Sequence, residues 1–283
     1  MKRCQVAVLA TLLLGYGCTG KQPRTTATEE APQVLRVDSV DEDSALVDEQ
    51  ERLITDTPMP RAADELFDDF LFNFSANKQL QMERIAYPLP VTRNGQTEYV
   101  ERGQWKMEHF FMRQGYYTLL FDSRQQMEVV KDTSVSRALV ERIYFNTGAV
   151  QQYQFKRING AWMLMEVKTD PITANRNASF LEFYHQFVTD SVFQVASLNE
   201  SVAFEGPDPD DDFAQMEGVI TADTWPAFAP ELPVRMIYNI VYGEPRKPTA
   251  EKIFVMRGIA NGLEQELTFR LVDGQWKLVK FTA

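Results

Sequence analysis

The chain has 283 residues, 44% of them hydrophobic and 12% aromatic, with a formal net charge of −11 at pH 7. That is enough apolar material for a buried core, while the acidity and the lack of a basic stripe disfavour nucleic acid and adhesion to anionic headgroups. Cysteine occurs twice, at Cys4 and Cys18, too few for a disulfide framework or a thiolate metal site.

Lys2 and Arg3 precede an apolar stretch at 6–14 that is shorter than the roughly 20 residues a membrane-spanning helix needs. Gly15, Tyr16 and Gly17 follow, then Cys18. The pattern resembles a bacterial lipoprotein signal peptide over 1–17, with Gly15 where such signals usually carry Leu. That resemblance implies cleavage before Cys18, a lipid on its sulfur and attachment to a membrane through that lipid. Residues 18–60 are poor in aromatics and rich in Thr, Pro, Asp and Glu, a composition that cannot offset its ordering entropy by burial and reads as an acidic, disordered tether. Residues 19–24 (TGKQPR) lack the acidic cluster that some bacteria use for surface export. The expected place is therefore the bacterial cell envelope, on the outer membrane facing the periplasm.

Phe67, Phe70 and Phe74 have i, i+3, i+7 spacing and predict a helix with one buried face. Gln104-Trp105 and an apolar strand at 117–121 (YTLLF) follow. Residues 155–167 read FKRINGAWMLMEV. Asn159-Gly160 is a preferred two-residue turn because both central positions of a type I′ turn need positive φ. It predicts a hairpin in which Arg157 faces Trp162 and Phe155 faces Leu164. The same elements then recur. Phe180, Phe183 and Phe187 repeat the helix, with Ser179 and Glu182 at capping-box spacing. Thr224-Trp225 and the strand at 238–242 (YNIVY) repeat the middle, with Tyr238 aligning to Tyr117 with one residue of slack. Residues 269–281 read FRLVDGQWKLVKF, with Asp273-Gly274 at the turn, Leu271 facing Trp276 and Phe269 facing Leu278. Ile158, Met163, Val272 and Val279 make the other hairpin face partly apolar, so at least partial cover on both sides is expected. The chain thus divides at 61–172 and 173–283 into two copies of one unit, helix first and Trp hairpin last.

A helix-first α+β unit closed by F-x-x-x-D-G-x-W-x-L resembles the nuclear transport factor 2-like, or cystatin-like, fold. Phe269, Asp273, Gly274, Trp276 and Leu278 carry that motif, and the first copy matches with Asn159 for Asp. The resemblance implies two tandem cones, each a helix packed on a curved antiparallel sheet around a pocket. Together with the signal and tether it resembles a bacterial lipoprotein family of tandem units of this kind, a domain of unknown function. The fold carries enzymes, adaptors and binding modules alike, so it leaves function open.

Residues for chemistry are sparse. His185 lies one turn from Glu182, which makes the pair the candidate acid/base for a hydrolase or isomerase. Its counterpart in the first copy is Phe72, which favours a packing role. His109 follows Glu108, and its counterpart in the second copy lies near Ala229, which favours a packing role for it too. Asp208, Asp210 and Asp212 begin like a calcium loop, but Phe213 stands at the required Gly and Val219 at the closing Glu. There is no G-x-S-x-G, Gly-rich phosphate loop or H-E-x-x-H motif, and no metal or cofactor is expected. The aromatic content points to lined pockets, with Trp105, Tyr116, Tyr184, His185, Trp225 and Tyr238 as candidate ligand-binding residues. Pro226, Pro230 and Pro233 make the segment after Trp225 a rigid loop suited to a lid or contact surface. The expectation is a lipid-anchored, non-catalytic binding or scaffold module with apolar pockets, partnered by an envelope protein or a small apolar ligand. An enzyme using His185 and Glu182, and a carrier of a small apolar ligand, stand as alternatives.

Overall fold

In a computed structural model of the chain, which describes residues 64–283 apart from 209–210, 245–246, 248 and 260, the first aromatic triad forms helix α1 (Phe67–Ala76). The signal segment, Cys18, the tether and Asp210 lie outside the described residues. Phe67, Phe70, Leu71 and Phe74 are buried along one face of α1. A short helix α2 (Lys78–Glu83) follows, capped by Asn77, whose side chain accepts the Leu80 N–H at 2.9 Å. The second triad lies on α3 (Ala178–Thr189), followed by α4 (Ser191–Ala196). The expected capping box does not form. Helix α3 starts at Ala178 with Asn177 before it and no side-chain cap, because the Asn177 side chain is turned to the Lys252 amine at 2.7 Å.

The first half contains β1 (Leu89–Arg93), β2 (Gln96–Val100), β3 (Tyr116–Phe121), β4 (Arg137–Tyr144), β5 (Ala149–Ile158) and β6 (Ala161–Pro171). The second contains β7 (Leu198–Asp208), β8 (Asp211–Ile220), a helical turn α5 (Trp225–Phe228), β9 (Met236–Tyr242), β10 (Glu251–Gly258), β11 (Glu264–Val272) and β12 (Gln275–Thr282). Both Trp hairpins have the expected register, with Arg157 opposite Trp162 and Leu271 opposite Trp276. The turns carry positive φ at Asn159 (52°), Gly160 (85°), Asp273 (49°) and Gly274 (77°). A register shift recurs at Gln154/Phe155 and Thr268/Phe269, and such bulges bend and twist the strands that carry them. The outer hairpin faces are covered in part, as expected: Met163 and Val279 are half-buried, while Ile158 and Val272, next to the turns, are 43% and 40% exposed.

The strands form two curved six-stranded sheets, ordered β2-β1-β6-β5-β4-β9 and β8-β7-β12-β11-β10-β3. Each sheet has one parallel ladder, β1 with β6 and β7 with β12, and otherwise antiparallel ones. The two orders are identical except at one end. There the third strand of each half pairs in the sheet of the other: β9 on β4 and β3 on β10. The registers also adjust the repeat. Val140 pairs Tyr153 as Phe254 pairs Leu267, a shift of 114 for both residues. Glu141 is then the counterpart of Val255, and their partners are Asn239 and Leu119. Leu119, not Thr118, therefore corresponds to Asn239, one residue from an alignment on the tyrosines.

This exchange explains why 117–121 and 238–242 are apolar on both faces. Tyr117, Leu119 and Phe121 enter the core around α1, while Leu120 enters the core around α3. Tyr238, Ile240 and Tyr242 enter the first core and Ile237 the second. Full burial of such side chains stabilises by about 1.5–3 kcal/mol each. Each core thus draws on both halves of the chain.

Candidate functional site

Exchanged strands bury polar atoms that need partners. Where β3 and β9 meet, Thr118 Oγ1 donates to the Tyr238 carbonyl and the Leu120 N–H donates to Asn239 Oδ1 at 2.8 Å. Asn239 Nδ2 donates to the buried Glu141 at 2.8 Å, as do Asn175 Nδ2 at 2.7 Å and Gln152 Nε2 at 3.0 Å. Nearby, the Lys252 amine is 1% exposed and bonds Asp122 and Asn177, and Arg176 also reaches Asp122. Burial pulls the Lys252 amine below its ordinary pKa, and Asp122 offsets part of that shift. A third network joins Glu108 to Arg142 and to the Tyr153 hydroxyl at 2.8 Å. The carboxylates of these groups are held by donors of the protein itself, as joints of the fold, while Arg142 Nε and Arg176 Nε and Nη1 are buried without a partner among the described residues.

Beside the exchanged strands lies a cavity of about 770 Å³. Residues 231–236 form one wall, and Leu232, Pro233, Met236, Met256 and Leu263 make its apolar lining. Gln114, Tyr116 and Gln265 add hydrogen-bonding groups, and Glu231 and Arg235 supply charge near the mouth. The amide oxygens of Gln114 and Gln265 are buried without a partner. Burial raises the Tyr116 phenol, with the Glu231 carboxylate adding to the effect, so the hydroxyl stays protonated and can donate. Among the lining residues none is Ser, Cys, His, Asp or Lys. The cavity has the size and composition of a small-molecule site, about 300–1,000 Å³ with mostly apolar walls and few polar groups. It offers no nucleophile paired with a base.

The candidate residues disperse around this cavity. Tyr116 lines it. Tyr184 is fully buried behind it, its hydroxyl donating to the Pro233 carbonyl at 3.1 Å, so it holds the wall in place. Tyr238 is in the first core, with Arg142 over its ring at 5.2 Å. His185 stacks on Phe145 at 5.1 Å with the rings 4° from parallel. Glu182 opens on a different cleft, and no hydrogen bond or ion pair joins it to His185 among the described residues. His109 is half-buried at the start of the 3-10 turn Phe110–Gln114. Among the described residues no group of three or more His, Cys, Asp or Glu side chains has metal-holding geometry.

Trp105 and Trp225 share a device that the sequence reading missed. The Trp105 indole N–H donates to Gln81 Oε1 at 3.0 Å, and Gln81 Nε2 donates to the Phe74 carbonyl at 2.8 Å. In the second half the Trp225 indole donates to Gln194 Oε1 at 2.9 Å, and Gln194 Nε2 donates to the Phe187 carbonyl at 3.1 Å. Each glutamine ties a tryptophan to the end of a long helix. The indole N–H groups are therefore committed within the protein. A glutamine on a short helix reads as a solvated residue, and only its recurrence at 81 and 194, the same shift as the phenylalanines, could have drawn attention to it.

A family model described as "Domain of unknown function (DUF4348)" matches residues 46–283. The crystal structure of an NTF2-like protein from Bacteroides fragilis NCTC 9343 is similar, with 40% sequence identity and a TM-score of 0.72, over 80% of this chain and 98% of that one. No curated protein matches the chain. With an α+β architecture, two curved sheets and a match over most of its length, the chain belongs to the DUF4348 family and has an NTF2-like fold.

Proposed function

We propose that this protein is a lipid-anchored, non-catalytic binding module of the bacterial cell envelope. It is built from two tandem NTF2-like domains and takes a small, largely apolar ligand into the cavity beside Tyr116. The carrying observation is the cavity itself: about 770 Å³, walled by Leu, Pro and Met side chains, with the Tyr116 hydroxyl as a donor. The doubled element order supports the tandem reading. The basic start, short apolar stretch and Cys18 support the lipid anchor, and the lack of an acidic cluster at 19–24 supports a place on the outer membrane facing the periplasm. An enzyme built on His185 and Glu182 is the weaker reading, because His185 is stacked on Phe145 and Glu182 faces elsewhere.

Native mass spectrometry of the full-length protein, gently extracted from its own membranes, tests this reading. The expected spectrum shows a lipidated chain with a retained small molecule, and Met256→Trp, which fills the cavity, loses that mass. A bare protein, or a retained mass indifferent to Met256→Trp, would sink the cavity assignment. Substrate turnover abolished by His185→Ala with the melting temperature unchanged would replace the whole reading by the enzyme.

A further inference from the structure

Arg84 ends α2 as Ser197 ends α4. The Arg84 carbonyl accepts from Leu164 N at 2.8 Å, and the Ser197 carbonyl accepts from Leu278 N at 2.9 Å, so the two positions are equivalent in the fold. Their side chains are not. In the first half the Arg84 guanidinium lies 6.0 Å from the Phe70 ring centroid and 3.4 Å from the Trp162 carbonyl. It also makes two hydrogen bonds to Asp64, at 2.9 and 2.8 Å.

In the second half the matching residues are Phe183 and Trp276, and the short Ser197 supplies no guanidinium to the Phe183 ring. A cleft of about 480 Å³ opens there, lined by Phe183, Trp276 and Ser197 with Glu182 at its side. Glu182 is exposed and has no ion pair among the described residues. Lys277 also borders the cleft, but its amine donates to the Ala196 carbonyl at 2.6 Å, which directs its charge to the end of α4. A planar cation that stacks on an aromatic face and pairs with a carboxylate suits this lining, and guanidinium does so better than ammonium.

We propose that this cleft receives the guanidinium group of an arginine side chain presented by a partner polypeptide. The group would stack on Phe183 and pair with Glu182, as the first half's own Arg84 stacks on Phe70 and pairs with Asp64. The cleft runs past the β11–β12 turn at Gly274 and Gln275 and is larger than the guanidinium alone requires, which leaves room for the backbone carrying it. This site is separate from the cavity beside Tyr116 and does not depend on it.

The probe is N-acetyl-arginine methylamide, titrated into the full chain at low salt while the Trp276 indole N–H is followed by NMR. The lysine analogue and free arginine serve as comparisons. The expected result is a saturable shift at Trp276, with the capped arginine binding at least about tenfold tighter than the capped lysine. Glu182→Gln should weaken binding about tenfold, and Ser197→Arg, which supplies a guanidinium from within, should abolish it. If Ser197→Arg does not fold, the exposed Glu182→Gln decides alone. No shift with the capped arginine, equal binding of the lysine analogue, or indifference to Glu182→Gln overturns the proposal. Free arginine binding tighter than the capped residue overturns the polypeptide partner.

Discussion

Asn239 and Glu141 stand opposite each other on β9 and β4, with the amide of one donating to the buried carboxylate of the other at 2.8 Å. The same amide accepts the Leu120 N–H through its oxygen at 2.8 Å. One side chain of the second half thus satisfies a carboxylate and a backbone group of the first. Replacing it with Leu should strand the Leu120 N–H and take the donor from Glu141 Oε2, while Asn175 and Gln152 still hold Oε1, at about 1–3 kcal/mol for each lost partner. Asn239→Leu is therefore expected to lower the unfolding free energy by about 2–5 kcal/mol in denaturant titration. A loss below about 0.5 kcal/mol would mean that this contact contributes little to the joint.

The exchange also predicts how the halves behave apart. Alone, residues 61–172 could close their sheet only with their own β3. By register that would set Leu119 opposite Glu141, where Asn239 now stands. Leucine cannot donate, so the carboxylate would lose a partner inside the core. The segment 61–172 expressed alone is expected to show poor amide dispersion by NMR and no cooperative unfolding. Mixing it with 173–283 should restore the dispersed spectrum. A cooperatively folded isolated half would mean that each half closes on its own strand.

What was legible in the sequence was local. Asn159-Gly160 and Asp273-Gly274 set their turns through the positive φ they tolerate, and the turns then set the register of the hairpins. The phenylalanine triads set the buried helix faces by spacing alone. The exchange of β3 and β9 was not legible, because both strands are apolar on both faces and either would suit either sheet. The cavity followed the exchange out of sight. Gln114 and Tyr116 meet Met256 and Gln265 only because β3 lies on β10. Trp105 and Trp225 look like pocket residues until their indole N–H groups are seen tied to Gln81 and Gln194.

That latch makes its own prediction. Gln81 is fully buried and serves four groups: the Phe74 and Glu108 carbonyls accept from its amide, and the Trp105 indole and Glu108 N–H donate to its oxygen. Gln81→Leu keeps the apolar stem and strands those groups, so a loss of about 2–4 kcal/mol is expected. The Trp105 indole should also become more exposed, read as a red shift of its emission in a variant whose other tryptophans are Phe. The matching change Gln194→Leu should cost less, because among the described residues only the Trp225 indole and the Phe187 carbonyl bond that side chain. Equal losses at the two positions would count against this account.

Asp68 gives the pH prediction. Its carboxyl lies on α1 against β9, half-buried, and accepts a hydrogen bond from the Tyr242 hydroxyl. Burial raises its pKa from 3.8 to about 6, the Tyr242 hydrogen bond and the Arg257 charge oppose the rise, and Asp69 adds to it. The folded chain therefore holds this proton more tightly than the unfolded chain. Between pH 3.8 and about 6 the folded state binds more protons, so stability falls as pH rises through that window and is level above it. One pKa unit is worth about 1.4 kcal/mol, which caps the loss near 3 kcal/mol for this partly solvated group. Asp68→Asn keeps an acceptor for Tyr242 and removes the titration. Relative to the parent chain, the variant is expected to gain about 1–3 kcal/mol in unfolding free energy on going from pH 4 to pH 7, measured by denaturant titration at both values. A difference that stays constant between the two pH values would show that Asp68 titrates alike in the folded and unfolded chain.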